Sequence, residues 1–85
     1  MKISIITVTF NSANYIENCL NSISNQLYDN VEHIVIDGKS TDNTLNFLNS
    51  KRSQLATLLS EKDCGIYDAM NKGINLANGD VIGFL

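Results

Sequence analysis

The run from Ile3 to Phe10 constrains this chain most. Ile3, Ile5, Ile6, Val8 and Phe10, with Thr7 and Thr9 among them, form a β-branched stretch in which apolar residues do not alternate with charged ones. A strand with one face in water would alternate, whereas an unbroken run marks a strand covered on both faces, as in the middle of a parallel sheet. Such a strand needs helices above and below it, which predicts an α/β fold.

The segments that follow supply those helices. After Asn11-Ser12-Ala13-Asn14, the residues Ile16, Cys19, Leu20, Ile23 and Leu27 recur at steps of three and four, and Asn14 with Glu17 has capping-box spacing. His33-Ile34-Val35-Ile36 reads as a second strand, ended by Asp37-Gly38-Lys39-Ser40-Thr41-Asp42. There the glycine permits a tight turn and Ser40 or Thr41 can cap a helix whose buried stripe is Leu45, Phe47 and Leu48. Leu55 to Leu59 reads as a weaker third strand. Ile66, Met70, Ile74 and Ala77 share one face of a third helix, which Asn78-Gly79 should stop with glycine in the left-handed conformation. Gly73 inside that helix suggests close packing on the sheet, because glycine otherwise costs about 1 kcal/mol there. Val81 to Leu85 completes the order β-α-β-α-β-α-β. The expected architecture is a Rossmann-like open parallel sheet of four strands, order 3-2-1-4, with helices on both faces.

Composition narrows the function classes. With 85 residues only one compact core is possible, and a chain this short removes only about 60% of its unfolded surface from water. Six Lys and Arg against nine Asp and Glu give a net charge of -3, with no basic cluster beyond Lys51-Arg52, which argues against a nucleic-acid partner. No apolar run is long enough to span a bilayer and Met1-Lys2 leads straight into a strand, so a cytoplasmic location is expected. Cys19 and Cys64 stand far apart without a histidine set, which fits small apolar residues better than a disulfide framework or a zinc site. The single histidine, His33, precedes the second strand's apolar core and is expected to be solvated or satisfied by a neighbour. Asp29 and Glu32 are expected in a solvated connection.

In an open α/β sheet ligands bind beyond the carboxyl ends of the strands, which here means Thr9-Phe10-Asn11, Asp37 to Ser40 and Glu61 to Gly65. Neither G-x-G-x-x-G nor G-x-x-x-x-G-K-S/T occurs, which removes the main support for a dehydrogenase or an ATPase.

Three blocks carry a family resemblance: Ile3 to Asn11 (ISIITVTFN), Val35 to Thr44 (VIDGKSTDNT), and Gly65 to Ile74 (GIYDAMNKGI) running into Ala77 to Leu85 (ANGDVIGFL). Together, in order and covering Lys2 to Leu85, they resemble the amino-terminal, nucleotide-binding half of the family 2 GT-A glycosyltransferases, which use nucleotide-diphosphate sugars. The resemblance implies a nucleotide site formed by Thr9, Phe10, Asn11, Asp37, Asp63 and Asp68, with a UDP-sugar as the favoured partner. A carboxylate at Asp37 can accept a charge-assisted hydrogen bond from the imide N–H of uracil or from the N–H edge of guanine; otherwise it caps the turn into Ser40-Thr41. Phe10 either stacks on the base or belongs to the core. Thr9 and Asn11 contribute backbone contacts or start the first helix. Asp63 and Asp68 either border the nucleotide or complement the dipole of the third helix.

In the family a strand like Val81 to Leu85 is followed by an Asp-x-Asp motif that holds Mg²⁺ or Mn²⁺, and this sequence stops before it. The expectation is a single half-domain, 1–85, truncated ahead of that motif, with no metal cofactor or catalytic residue of its own and inactive in sugar transfer when alone. A non-catalytic nucleotide-binding or assembly module is the alternative. A receiver or flavodoxin-like domain ranks below both because a fifth strand and its acidic or flavin loops are missing. The apolar fourth strand is expected to pair with a second copy, giving a homo-oligomer.

Overall fold

The computed structural model describes residues 2–24, 31–62 and 65–84. In chain order the elements are β1 (Ile3–Thr9), α1 (Ile16–Ser24), β2 (Val31–Asp37), α2 (Thr44–Ser50), a short 3₁₀ turn (Arg52–Gln54), β3 (Thr57–Ser60), α3 (Ile66–Leu76) and β4 (Val81–Phe84). The four strands form one parallel sheet in the order β3-β2-β1-β4, as the β-branched first run requires. In register, Ile3 to Thr9 of β1 stand beside Val31 to Asp37 of β2, so the two central strands end side by side at Thr9 and Asp37.

The alternation of side chains across these strands sorts the core into two layers. Val35 packs with Ile16 and Leu20 of α1, Leu48 of α2 and Leu55; Phe47 and Leu58 cover the margin. On the opposite face Ile6, Ile34 and Ile36 pack against Ala69 of α3, with Val8, Leu59 and Ala77 around them. Each such aliphatic side chain contributes about 1.5–3 kcal/mol on leaving water. Helices therefore lie on both faces.

Several local expectations are corrected. β2 begins at Val31, two residues before the expected start, because Glu32 is bonded rather than solvated: its carboxylate accepts the Ser4 hydroxyl and the Asn78 amide (2.7 Å) and pairs with Lys2 at 3.5 Å. The Ser4 hydrogen bond chiefly, then the Asn78 amide, hold its carboxyl below the ordinary value, against the opposing effect of burial. β3 spans Thr57–Ser60, and Leu55 instead leaves the 3₁₀ turn to enter the core. The path into α1 turns at Ser12, whose carbonyl accepts the amides of Tyr15 and Ile16, both at 2.9 Å, rather than at Asn14. Leu27 and Asp29 lie outside the described residues.

α3 is rolled from the expected face. Ala69 and Gly73 are buried against the sheet, while Ile66 and Ile74 are exposed. The cause is the sheet surface itself. A Cβ on Gly73 would lie 2.5 Å from Ile6 Cγ2, so the helix seats its smallest residues on β1 and its branched ones face outward. Gly79 is likewise required by proximity and not by a left-handed conformation: a Cβ there would meet the Ser4 nitrogen at 2.7 Å and the Lys2 carbonyl oxygen at 2.9 Å. α3 itself ends at Leu76, before the Asn78-Gly79 pair.

His33 lies within β2 and is buried, its Nε2 2.8 Å from the Thr7 hydroxyl. Burial lowers its pKa to about 4, so the ring is neutral at pH 7. Cys19 is half-buried, and Cys64 lies outside the described residues.

Candidate functional site

The ends of β1 and β2 form a polar knot around Asp37. This residue is fully buried. Its Oδ1 accepts the Thr9 hydroxyl (2.7 Å) and the Ser40 hydroxyl; its Oδ2 accepts the Ser40 amide (2.9 Å) and the Ser60 hydroxyl (3.0 Å). A carboxylate offers about four acceptor positions, so the set is filled. Burial alone would raise its pKa, but the hydrogen bonds from Ser40, Thr9 and Ser60 outweigh burial and hold the carboxyl below its ordinary value. Three of the four donors are rotatable hydroxyls.

Above the knot, the loops after β1 and β2 are sewn together. The Asn11 amide donates to the Ser40 hydroxyl (2.9 Å), and the Asn11 side-chain oxygen accepts the amides of Thr41 (2.8 Å) and Asp42 (3.3 Å). In return Asp42 accepts the Ala13 amide (3.2 Å) and the Thr44 amide (2.9 Å), while the Thr44 hydroxyl oxygen accepts the Ser12 amide (2.7 Å). The Thr44 hydroxyl, then its amide, hold the Asp42 carboxyl below the ordinary range. Two residues adopt left-handed backbone here, Asn11 (φ 49°) and Lys39 (φ 62°). Asparagine tolerates that conformation by local hydrogen bonding, whereas the lysine carries a cost of about 1 kcal/mol. The turn therefore places its left-handed residue at Lys39 and not at Gly38.

Between the carboxyl end of β1 and the start of α3 opens a cavity of about 500 Å³. Val8, Thr9, Phe10 and Gly38 line it from the first two strand ends, and Lys62, Gly65 and Ile66 close it from the connection into α3. Phe10 is 62% exposed at this cavity, so it is not a core residue.

Of the six residues expected at a nucleotide site, the fold brings Thr9 and Phe10 to the cavity and buries Asp37 beside them through Thr9. Asn11 turns its side chain into the neighbouring loop. Asp68 lies in the first turn of α3 with Lys72 at 3.5 Å, and Asp63 lies outside the described residues. Sequence reasoning missed Ser40 and Ser60 as carboxylate donors, Asp42 as a loop fastener, and Lys62. Asp42 carried a signal, an acidic residue two positions before a helix; Ser60 carried none, because its role depends on the lateral pairing of β3 with β2.

Mg²⁺ and Mn²⁺ need several oxygen ligands around one point. Among the described residues no three His, Cys, Asp or Glu side chains are grouped that way, and Asp37 and Asp42 are committed to internal donors. The described residues do not fit such an ion.

In open α/β folds a cavity where the central parallel strands end is the usual place for a ligand. The family described as Glycosyl transferase family 2 matches residues 4–85, and the chain belongs to that family. It is 42% identical over 84 residues to an uncharacterized glycosyltransferase of Mycobacterium tuberculosis, covering 98% of this chain and 32% of that protein. It is 41% identical over 85 residues to a PGL/p-HBAD biosynthesis glycosyltransferase of Mycobacterium bovis, covering 96% and 33%. Thus the chain spans about a third of the length of these curated relatives. Among solved structures, it matches Staphylococcus aureus TarS 1–349 in complex with UDP-GlcNAc with a TM-score of 0.90 at 31% identity, over 100% of this chain and 26% of that one. It also matches the mannosyltransferase PcManGT of Pyrobaculum calidifontis in complex with GDP-Man and Mn²⁺, with a TM-score of 0.82 at 31% identity, over 95% and 26%.

Proposed function

We propose that these 85 residues bind the nucleotide of a nucleotide-diphosphate sugar, UDP-sugars being favoured, as the donor half of a glycosyltransferase. The observation that carries this reading is the cavity at the carboxyl ends of β1 and β2, with Phe10 exposed on it and no acidic side chain among the described residues that line it. An exposed ring beside a cavity suits stacking on a flat base. Asp37 serves the same site through its hydroxyl donors: the N–H edge of a base takes the place of one rotatable hydroxyl on the carboxylate. The complexes of TarS with UDP-GlcNAc and of PcManGT with GDP-Man support a nucleotide-sugar over other ligands.

Binding and transfer are separate in this proposal. Transfer needs a general base and a charge that neutralises the leaving diphosphate, groups the described residues do not assemble. Calorimetric titration of the chain with UDP, GDP and CDP tests the binding. The expected result is weak saturable binding of at least one, lost in Asp37→Ala and nearly unchanged in His33→Ala; equal effects of the two substitutions would reduce Asp37 to a turn cap. Incubation with UDP-GlcNAc or GDP-Man and Mg²⁺ or Mn²⁺ should give no turnover, and turnover by the purified chain would misplace the chemistry.

A second copy of the chain is the proposed partner at β4. This strand pairs on one side only, and Val81, Ile82 and Phe84 are 44%, 39% and 46% exposed. Sedimentation should show a dimer that Phe84→Lys weakens; a monomer at high concentration overturns the association.

A further inference from the structure

We propose that Lys62 is the phosphate-facing residue of the cavity and that Lys72 is its positioning residue. The proposal rests on the nucleotide reading and adds to it the place of the diphosphate.

Lys62 is cationic, and it is the one charged residue among the described residues that line the cavity. Its ammonium has no ion-pair partner among the described residues. Two carboxylates, Glu61 and Asp68, stand near Lys62 in the sequence. Lys72 engages both. Its Nζ lies 2.9 Å from Glu61 and 3.5 Å from Asp68, and it donates to the backbone carbonyl of Lys62 itself at 3.2 Å. One side chain on the second turn of α3 therefore does two things. It fixes the backbone from which Lys62 projects, and it draws off the negative charge that would otherwise neutralise Lys62.

The geometry separates two parts of a ligand. Phe10 offers a flat apolar face and Lys62 a compact charge, both on the same cavity. A base and a diphosphate match these two surfaces, because an ammonium is a point charge suited to phosphate oxygens. A neutral nucleoside meets only the first.

The test compares a nucleoside with its diphosphate. Uridine, UDP, guanosine and GDP are titrated into the full 85-residue chain at low and at high salt, for the natural sequence, Lys62→Ala, Lys62→Arg and Lys72→Met. For the base that binds, the diphosphate should bind at least about tenfold tighter than the nucleoside at low salt, and the advantage should shrink at high salt. Lys62→Ala should remove that advantage while leaving the nucleoside within about twofold, which also shows that the variant is folded. Lys62→Arg should restore most of it. Lys72→Met should lower the diphosphate advantage in part, with the nucleoside again unchanged. If nucleoside and diphosphate both bind and their ratio is the same in Lys62→Ala as in the natural sequence, this proposal is overturned and the nucleotide reading stands. If none of the four ligands binds, the nucleotide reading falls and takes the proposal with it.

Discussion

β2 carries a carboxylate at each end, Glu32 and Asp37, and the two are satisfied in different ways. Glu32 is held by a backbone amide of Asn78, the Ser4 hydroxyl and the Lys2 ammonium, and Ser4 in turn accepts the Gly79 amide at 2.8 Å. These contacts draw the entry of β4 tight against β1, so close that only glycine fits at position 79. Asp37 has no cationic partner among the described residues; it accepts one amide and three hydroxyls, from Thr9, Ser40 and Ser60, next to a cavity. Each carboxylate accepts one backbone amide that cannot turn away; Glu32 adds one hydroxyl and an ammonium, and Asp37 adds three hydroxyls that can rotate. The amino end of the sheet is therefore built as a clasp that ties β4 to β1, and the carboxyl end as a polar cluster rich in rotatable donors.

The sharpest way to break this comparison is to remove each carboxylate. Asp37→Ala strands several buried donors at 1–3 kcal/mol for an unsatisfied group, and should cost about 3 kcal/mol or more in urea unfolding together with nucleotide binding. Glu32→Ala should cost about 1–2 kcal/mol and leave the affinity of the folded chain unchanged. Equal losses of binding would mean that the two ends are not functionally distinct.

Next in size is the effect of acid on His33, the neighbour of Glu32. Its folded pKa of about 4 lies below the ordinary value near 6.5, so the unfolded chain binds the extra proton first. Stability is then complete above pH 6.5 and falls as the pH drops from 6.5 towards 4, by up to about 3 kcal/mol. Asp37 and Glu32, whose pKa values are lowered, act at lower pH, where they lose stability as they protonate. Urea midpoints at pH 7 and pH 5 should differ for the natural chain and converge in His33→Gln. A difference retained by His33→Gln assigns the acid sensitivity to other groups.

Gly79→Ala should destabilise by about 2 kcal/mol, because the new Cβ meets backbone atoms of β1 that cannot move aside. Its folded fraction should still bind nucleotide normally, since the clasp lies at the far end of the sheet. Smallest in stability is Phe10→Ala, within about 0.5 kcal/mol for an exposed side chain, yet it should weaken nucleotide binding by about tenfold through lost stacking. A Phe10→Ala chain that binds as well as the natural one removes the ring from the site.

Much of this was readable from the chain because local pattern and tertiary role agree. The unbroken run Ile3–Thr9 could only be a central strand, and Asp37 follows an apolar run as a polar full stop at its carboxyl end. Where they disagree, the sequence misleads. Ile66 and Ile74 have the spacing of a buried stripe, but Ile6 beneath α3 leaves room only for Ala69 and Gly73. Glu32 interrupts an apolar pattern and so resembles a loop residue, although its partners Ser4 and Asn78 lie 28 and 46 positions away. Ser40, in a loop, and Ser60, at the end of β3, look unremarkable until β2 brings a carboxylate between them. Distant partners leave no trace in a local pattern.

The stitching of the β1 and β2 loops also sets an order of events. Its bonds join residues 29 to 32 positions apart, from Ser40 and Asn11 to Thr44 and Ser12, and none can close before β1 and β2 are paired. Such non-local closures are slow because the chain loses its loop entropy before the contacts form. The cavity, lined from both strand ends and from the start of α3, thus exists only in the paired sheet, and no peptide taken from either loop carries it. A ligand that fits it binds the finished fold alone, and so acts during refolding as a trap that draws molecules out of the unfolded pool.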